Sequence, residues 1–217
     1  MTQIIQKILI ANRGEIACRI MKTAHKLGFF TVAVYSDADR NALHVQQADE
    51  AIYLGAADPT SSYLDSEKII KAALMTQADS IHPGYGFLSE NADFADKCAQ
   101  AGLVFIGPSP DAITLMGSKR LSKIAMLNAN VPCIPGYEGS DQTDTTLIEK
   151  AKAIGFPLMV KASAGGGGKG MRLVHEADEL AAQISTARSE ALNAFGNDEL
   201  ILERALIAPR HIEIQIF

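Results

Sequence analysis

No stretch of this 217-residue sequence approaches the ~18 consecutive apolar residues that a membrane-spanning helix requires. Positive charge is not in excess either. Twenty Lys and Arg stand against 25 Asp and Glu, a formal net charge of −5, which argues against broad binding to nucleic acid or to an anionic membrane. The opening residues, Met1 to Lys7, are interrupted by Gln3, Gln6 and Lys7, so they form neither a signal peptide nor a basic transit segment. Cysteine is scarce. Cys18, Cys98 and Cys133 are odd in number and have no metal-ligand spacing, and they read as buried thiols in a reducing, cytoplasmic setting. Two phosphate-binding fingerprints are also missing. A Walker loop needs a glycine where Ser163 stands and a Ser or Thr where Gly170 stands. The dinucleotide fingerprint wants three glycines and only Gly14 is present, so no NAD is expected. Gly14 then reads as a helix-start glycine, the alternative being a Rossmann site with Asp37 or Asp39 on a ribose.

What is present centres on Val160 to Arg172. Lys161 ends an apolar strand, four glycines follow at 165–168, then Lys169 and Gly170, and a strand-like Met171-Arg172-Leu173-Val174 resumes. Glycines allow backbone amides to approach a ligand closely. Successive amides beside lysines make an anion cradle suited to a polyphosphate. Because a strand rather than a helix follows, the run reads as a flap between antiparallel strands; a low-complexity linker is the bland alternative.

The remaining chain, 47% apolar, can build a sizeable core. Lys7 to Ala11, Thr31 to Tyr35, Ala51 to Leu54, Ser80 to His82 and Leu103 to Ile106 read as strands. Helical stretches separate them, the first with Ile16, Ile20, Ala24 and Leu27 on its apolar side and Gly28 at its end. That alternation predicts a parallel sheet with helices on both faces, ending near Met116. A helix from Gly117 to Asn128 opens a different region. A polar connection at 138–146, a helix ending near Ile154, the flap hairpin, a helix from about Glu176 to Asn193 and a strand at Leu200 to Glu203 follow. His211 to Phe217 alternates, with His211, Glu213 and Gln215 on one face and Ile212, Ile214 and Ile216 on the other. The bare apolar strand at the end implies that the chain is part of a longer protein.

Three separated stretches resemble the biotin carboxylases. These are Lys7 to Ala17 (KILIANRGEIA), His82 to Asn91 (HPGYGFLSEN), and Lys161 to Met171 together with Pro209 to Glu213 (PRHIE). The likeness covers the whole chain in order. It implies an α/β fold with a Rossmann-like parallel sheet at residues 1–115, then an incomplete α+β ATP-grasp domain at 116–217 with its glycine-rich lid at about 133–204. It also implies the reaction: MgATP and bicarbonate give a carboxyphosphate, which carboxylates biotin on a carrier domain.

By position, the resemblance implies that Lys119 reaches ATP from the helix before the lid. Lys161 meets the α- and β-phosphates, and Gly167 and Gly168 supply flap amides. Glu203 and the backbone of Arg204, Ala205 and Leu206 hold the adenine edge, and His211 lies near the ribose and phosphates. Taken alone, a lysine is usually a solvated group and His211 a satisfied polar residue. His82, Gly84, Gly86 and Glu90 are site-lining candidates. Tight turn geometry alone also explains the two glycines, and Glu90 reads equally as a favourable charge at a helix N-terminus capped by Ser89. The resemblance puts the Mg²⁺ ligands and the catalytic residues beyond Phe217, so these 217 residues alone are expected to be inactive and to bind ATP weakly at most. It implies as partners a biotin carboxyl carrier domain, a carboxyltransferase subunit and a second copy in a homodimer. Residues 20–27 and 35–39 are most similar to members acting on branched or longer acyl-CoAs, such as the methylcrotonyl-CoA carboxylases. Competing readings are another ATP-grasp ligase resembling carbamoyl-phosphate synthetase, and a non-catalytic nucleotide-binding or assembly module.

Overall fold

The computed structural model describes residues 4–165, 170–212 and 214, and the chain divides into two compact units, Met1–Thr114 and Leu115–Phe217. In the first, the elements run β1 (Lys7–Ile10), α1 (Gly14–Lys26), β2 (Phe30–Ser36), α2 (Leu43–Gln47), β3 (Glu50–Gly55), α3 (Ser66–Met75), β4 (Ser80–His82), α4 (Ala92–Gln100) and β5 (Val104–Phe105). Their sheet has the order β3-β2-β1-β4-β5, and every pairing is parallel, with Leu9 opposite Val32 and Ile81. The apolar run of β1 serves both faces. Ile8 and Ile10 pack with Ala17, Met21 and Ala24 of α1, while Leu9 joins Val32, Ile69, Ile81 and Phe94 against α3 and α4. Burial on both sides is what a run without polar alternation specifies.

The buried stripe of α1 is Ala17, Met21 and Ala24, whereas Leu27, assigned above to its apolar side, is exposed. Leu27 is the C-cap, still αR with its N–H on Thr23 O, and it borders the same apolar groove as Ile16, Ile20 and Ala24, exposed because that groove is open. Asp65 caps α3 and Asn91 caps α4, the Asn91 side-chain Oδ1 accepting from the Phe94 N–H at 2.8 Å. Ser89 is therefore not the cap. An Asx side chain next to the first helical residue reaches the third amide, a position Ser89 does not occupy.

The second unit, whose first helix α5 (Pro110–Gly117) begins just before it, continues with α6 (Lys119–Asn128), β6 (Gly136–Tyr137), α7 (Asp144–Ile154), β7 (Leu158–Ala162), β8 (Met171–Val174), α8 (Leu180–Phe195) and β9 (Leu200–Arg204). The sheet order is β6-β9-β7-β8, all antiparallel. The β7–β8 hairpin pairs Lys161 with Met171, so the glycine run connects two antiparallel strands and does not open a helix. Strand alternation then divides the sheet. Leu158 and Val160 of β7 and Leu200 and Leu202 of β9 enter a core with Leu147 and Ala151 of α7 and Leu180, Ile184 and Ala187 of α8. Lys161, Ile201 and Glu203 point to the opposite face.

The stretch after β9 departs from expectation. Residues 209–212 and 214 are not in a strand, and Ile212 and Ile214 are exposed; Glu213, Gln215, Ile216 and Phe217 lie outside the described residues. Alternation defines two faces, but a strand also needs a neighbouring backbone to pair with.

Candidate functional site

The free face of the second sheet and α6 enclose a cleft of about 350 Å³, lined by Met116, Lys119, Ser122, Lys123, Met126, Cys133, Ile134, Lys161, Ile201 and Glu203. That volume lies in the range of small-molecule sites. Each polar group arrives there for a local reason. Ser118 caps α6 by accepting from the Leu121 N–H, which fixes the start of the helix and places Lys119 in its first turn. Lys119 and Lys123 are four residues apart and therefore share one helix face. Lys161 lies opposite Ile201 and Glu203 opposite Met159, so Lys161 and Glu203 are diagonal neighbours on one side of the sheet.

Charge in the cleft is tightly arranged. Lys161 Nζ donates to Glu203 Oε2 at 2.5 Å, and Lys123 Nζ to Glu203 Oε1 at 3.0 Å. Burial pushes the Glu203 carboxyl up, but the hydrogen bonds and charges of Lys161 and Lys123 outweigh it and hold the group below the ordinary carboxylate range. Lys119 Nζ donates to the carbonyl oxygens of Ala164 and Gly165, and its N–H donates to Ser163 O at 2.9 Å. Burial, helped by the nearby Lys161 charge, lowers the Lys119 ammonium below its usual value. The base of the flap is thus stitched to the start of α6. Arg120 braces the same corner through Glu199 at 2.7 Å.

At the end of β9, two prolines shape the backbone. The Arg204 N–H donates to Pro135 O at 2.9 Å and the Ala205 N–H to Pro157 O at 3.0 Å. An antiparallel pair normally returns the bond, but proline has no N–H. The carbonyls of Arg204 and Ala205 therefore receive nothing back from these partners. The N–H groups at 204 and 205 are already engaged, so the expectation of backbone recognition there narrows to those carbonyls and to Leu206.

Of the residues singled out in the sequence, the structure brings Lys119, Lys161 and Glu203 into one cleft; Arg204, Ala205 and Leu206 follow Glu203 in the chain but are not among the lining residues. His211 is not among the lining residues. Gly167 and Gly168 lie outside the described residues. Lys123, Met126, Cys133 and Ile134 were not anticipated; the four-residue spacing from Lys119 is the signal that identifies Lys123. Cys133 and Cys18 are half-buried, not buried as expected, and only Cys98 is enclosed, where burial pushes its thiol up to about 12. Among the described residues, no group of three or more His, Cys, Asp or Glu is arranged to hold a metal ion.

His82, Gly84, Gly86 and Glu90 belong to the first unit. His82 ends β4, its Nδ1 accepts from the Gly84 N–H at 3.0 Å, and burial lowers its pKa. Gly84 has φ +68°, and a Cβ there would come within 2.7 Å of the Asn12 Nδ2. That Nδ2 donates to Pro83 O and Tyr85 O, both at 2.8 Å, so Asn12 holds the loop against the end of β1. Gly86 also has positive φ, and Glu90 is exposed one residue before the Asn91 cap.

Comparison with known proteins now gives these observations a context. Residues 4–113 match the family described as biotin carboxylase, N-terminal domain, and residues 118–217 match that described as carbamoyl-phosphate synthase L chain, ATP binding domain. The mitochondrial methylcrotonoyl-CoA carboxylase subunit alpha of Dictyostelium discoideum is 54% identical over 98% of this chain and 30% of its own length. The biotin carboxylase of Nostoc sp. is 54% identical over 97% of this chain and 47% of its own. A crystal structure of a Campylobacter jejuni biotin carboxylase–β,γ-ATP complex superposes with a TM-score of 0.92 at 45% identity, covering 95% of this chain and 46% of that one. The biotin carboxylase domain dimer of Hydrogenobacter thermophilus 2-oxoglutarate carboxylase, solved with MgADP, ADP and bicarbonate, gives a TM-score of 0.89 at 45% identity, covering 94% of this chain and 45% of that one. The chain spans about a third to a half of the length of these relatives. With a parallel-sheet unit matched to the family's N-terminal domain and a second unit built around a hairpin, a lysine-lined cleft and an ATP-binding match, the chain belongs to the biotin carboxylase family.

Proposed function

We propose that this chain contributes the N-terminal unit and part of the ATP site of a biotin carboxylase, an ATP-dependent ligase. In that reaction a bicarbonate oxygen attacks the γ-phosphorus of ATP and ADP leaves; the carboxyphosphate formed then gives up its carboxyl group to a biotin nitrogen on a carrier domain, its C–O bond to phosphorus-bound oxygen breaking to release inorganic phosphate while the nitrogen loses its proton. The observation that carries the reading is the convergence of Lys119 and Lys161 on one cleft at the base of the glycine flap. Their ammonium groups are compact charges suited to phosphate oxygens, and such charge is what phosphoryl transfer demands of a protein. The carbonyl of Arg204, unreturned by Pro135, suits an exocyclic amino group, and the Leu206 N–H suits a ring nitrogen acceptor. Gly167 and Gly168 as flap amides, and His211 near the ribose, belong to the same proposal. Mg²⁺ would screen the phosphates; the described residues offer it no ligand set of three or more His, Cys, Asp or Glu.

The carrier domain, a carboxyltransferase subunit and a homodimer are the partners this reading entails, and the dimeric Hydrogenobacter thermophilus domain supports the last of them. Equal 54% identity to a methylcrotonoyl-CoA carboxylase subunit and to a biotin carboxylase leaves the acyl acceptor to be set elsewhere in the complex. The three free cysteines favour a reducing, cytoplasm-like compartment.

The test is made on the complete protein, by calorimetric titration with MgATP and by bicarbonate-dependent ADP release with free biotin. Wild type binds and turns over. Lys161→Met and Lys119→Met each weaken ATP binding by about tenfold or more, the size of a lost charge-assisted hydrogen bond. Unchanged affinity in both variants would overturn the reading.

A further inference from the structure

One cation of the cleft is unexplained by the flap. The Lys123 side chain is 7% exposed, and its Nζ sits 3.0 Å from Glu203 Oε1 and 3.7 Å from Glu138 Oε2. The surroundings are built for it. A Cβ on Gly136 would come within 2.6 Å of this Nζ and would collide with the Leu202 carbonyl, so the β6 glycine leaves the space the ammonium fills. Glu138 Oε2 is buried with no hydrogen-bond partner among the described residues, and the Lys123 charge lies beside it. Glu203 is therefore a shared counter-ion. One oxygen faces the enclosed Lys123; the other faces Lys161, whose side chain is 20% exposed.

We propose that Lys123 is a positioning residue for nucleotide binding, keeping Glu203 neutralised while Lys161 exchanges that carboxylate for phosphate oxygens. The proposal rests on the nucleotide reading above. A buried carboxylate deserted by its only cation is strongly unfavourable, because desolvation is no longer offset by a partner. With Lys123 in place, Glu203 keeps one cation when Lys161 leaves, so the triphosphate does not compete against an uncompensated charge. Without it, Lys161 is the sole partner of Glu203, and phosphate must take it away. Lys123 acts through Glu203 and does not itself touch the ligand.

The experiment compares wild type, Lys123→Met, Lys123→Arg, Glu203→Gln and Lys123→Met/Glu203→Gln in the complete protein, reading MgATP affinity by calorimetry and KM and kcat by ADP release. Lys123→Met raises Kd and KM for MgATP by about tenfold, as for loss of one charge-assisted interaction, with kcat changed less than KM. Lys123→Arg recovers most of that affinity. In the Glu203→Gln background, where the carboxylate shared with Lys161 is gone and Glu138 alone stays beside Lys123, adding Lys123→Met has no further effect on Kd. A purely structural lysine would impose the same loss in both backgrounds, and that result overturns the proposal, as does an unchanged KM in Lys123→Met. If Lys123→Met alone fails to fold, the comparison of the double variant with Glu203→Gln decides the matter. Failure of wild type to bind MgATP would instead remove the nucleotide reading itself.

Discussion

His44 is fully enclosed on α2, with its Nε2–H directed at Val34 O, 3.2 Å away, and its Nδ1 accepting from the Gly14 N–H at 3.4 Å. One nitrogen donates and the other accepts, which is the pattern of a neutral ring. Burial, opposed by the Val34 hydrogen bond and the Asp39 charge, leaves its pKa below the usual value, and burial lowers His82 likewise. In both cases the unfolded chain takes up protons more readily than the folded one. Stability is therefore fully present above the unfolded value of about 6.5 and is lost as pH falls through it towards the lower folded values. Urea unfolding between pH 7.5 and 5.5 should show this decline. His44→Gln should remove part of the slope and His82→Gln another part; a slope unchanged in both variants would contradict the assignment. The residue scale also shows where the sequence was legible. Lys161 announced itself by ending an apolar strand ahead of four glycines. Lys123 did not, because a lysine on an amphipathic helix usually faces water, and its carboxylate partner Glu203 is 80 positions away.

Among the elements, the β7–β8 hairpin has the most specific local requirement. Gly165 has φ +73°, and a Cβ on it would collide with the Phe195 ring at the end of α8. Gly165→Ala is expected to lower stability by about 1–3 kcal/mol, combining a disfavoured backbone angle with a steric clash. Gly165→Ala/Phe195→Ala should recover the steric share and retain about 1 kcal/mol of backbone cost, so a double-mutant cycle by denaturant unfolding separates the two. Additive effects would show that the ring is not the obstacle. The long strands and helices could be read from periodicity because burial enforces it: two faces in β1, one in β7. The shorter pieces could not. Helix α2 has five residues and β6 only two, too few to display a period, and both exist because neighbours hold them. The alternation from His211 onward shows the converse, a pattern without a paired strand among the described residues.

For the whole molecule, the two units have cores with no residue in common, Ile69 in the first and Ile184 in the second both being fully buried. Truncating either to alanine should cost about 2–5 kcal/mol. Amide exchange should quicken in the unit that holds the substitution, and Ile184→Ala spreading its effect evenly across both sheets would contradict two separate cores. Parallel character in residues 7–106 was readable from strand–helix alternation. The position of β1 in the middle of its sheet was not, since an apolar run shows that both faces are covered without saying which strands flank it.

Pro135 and Pro157 have a quieter effect. By standing opposite the same strand end, two imino acids prevent the ladder from zipping further, whatever lies next to it. That neither proline can return a bond to the carbonyl it faces is a property of covalent structure, so the ladder is cut at the same point in every copy of the chain.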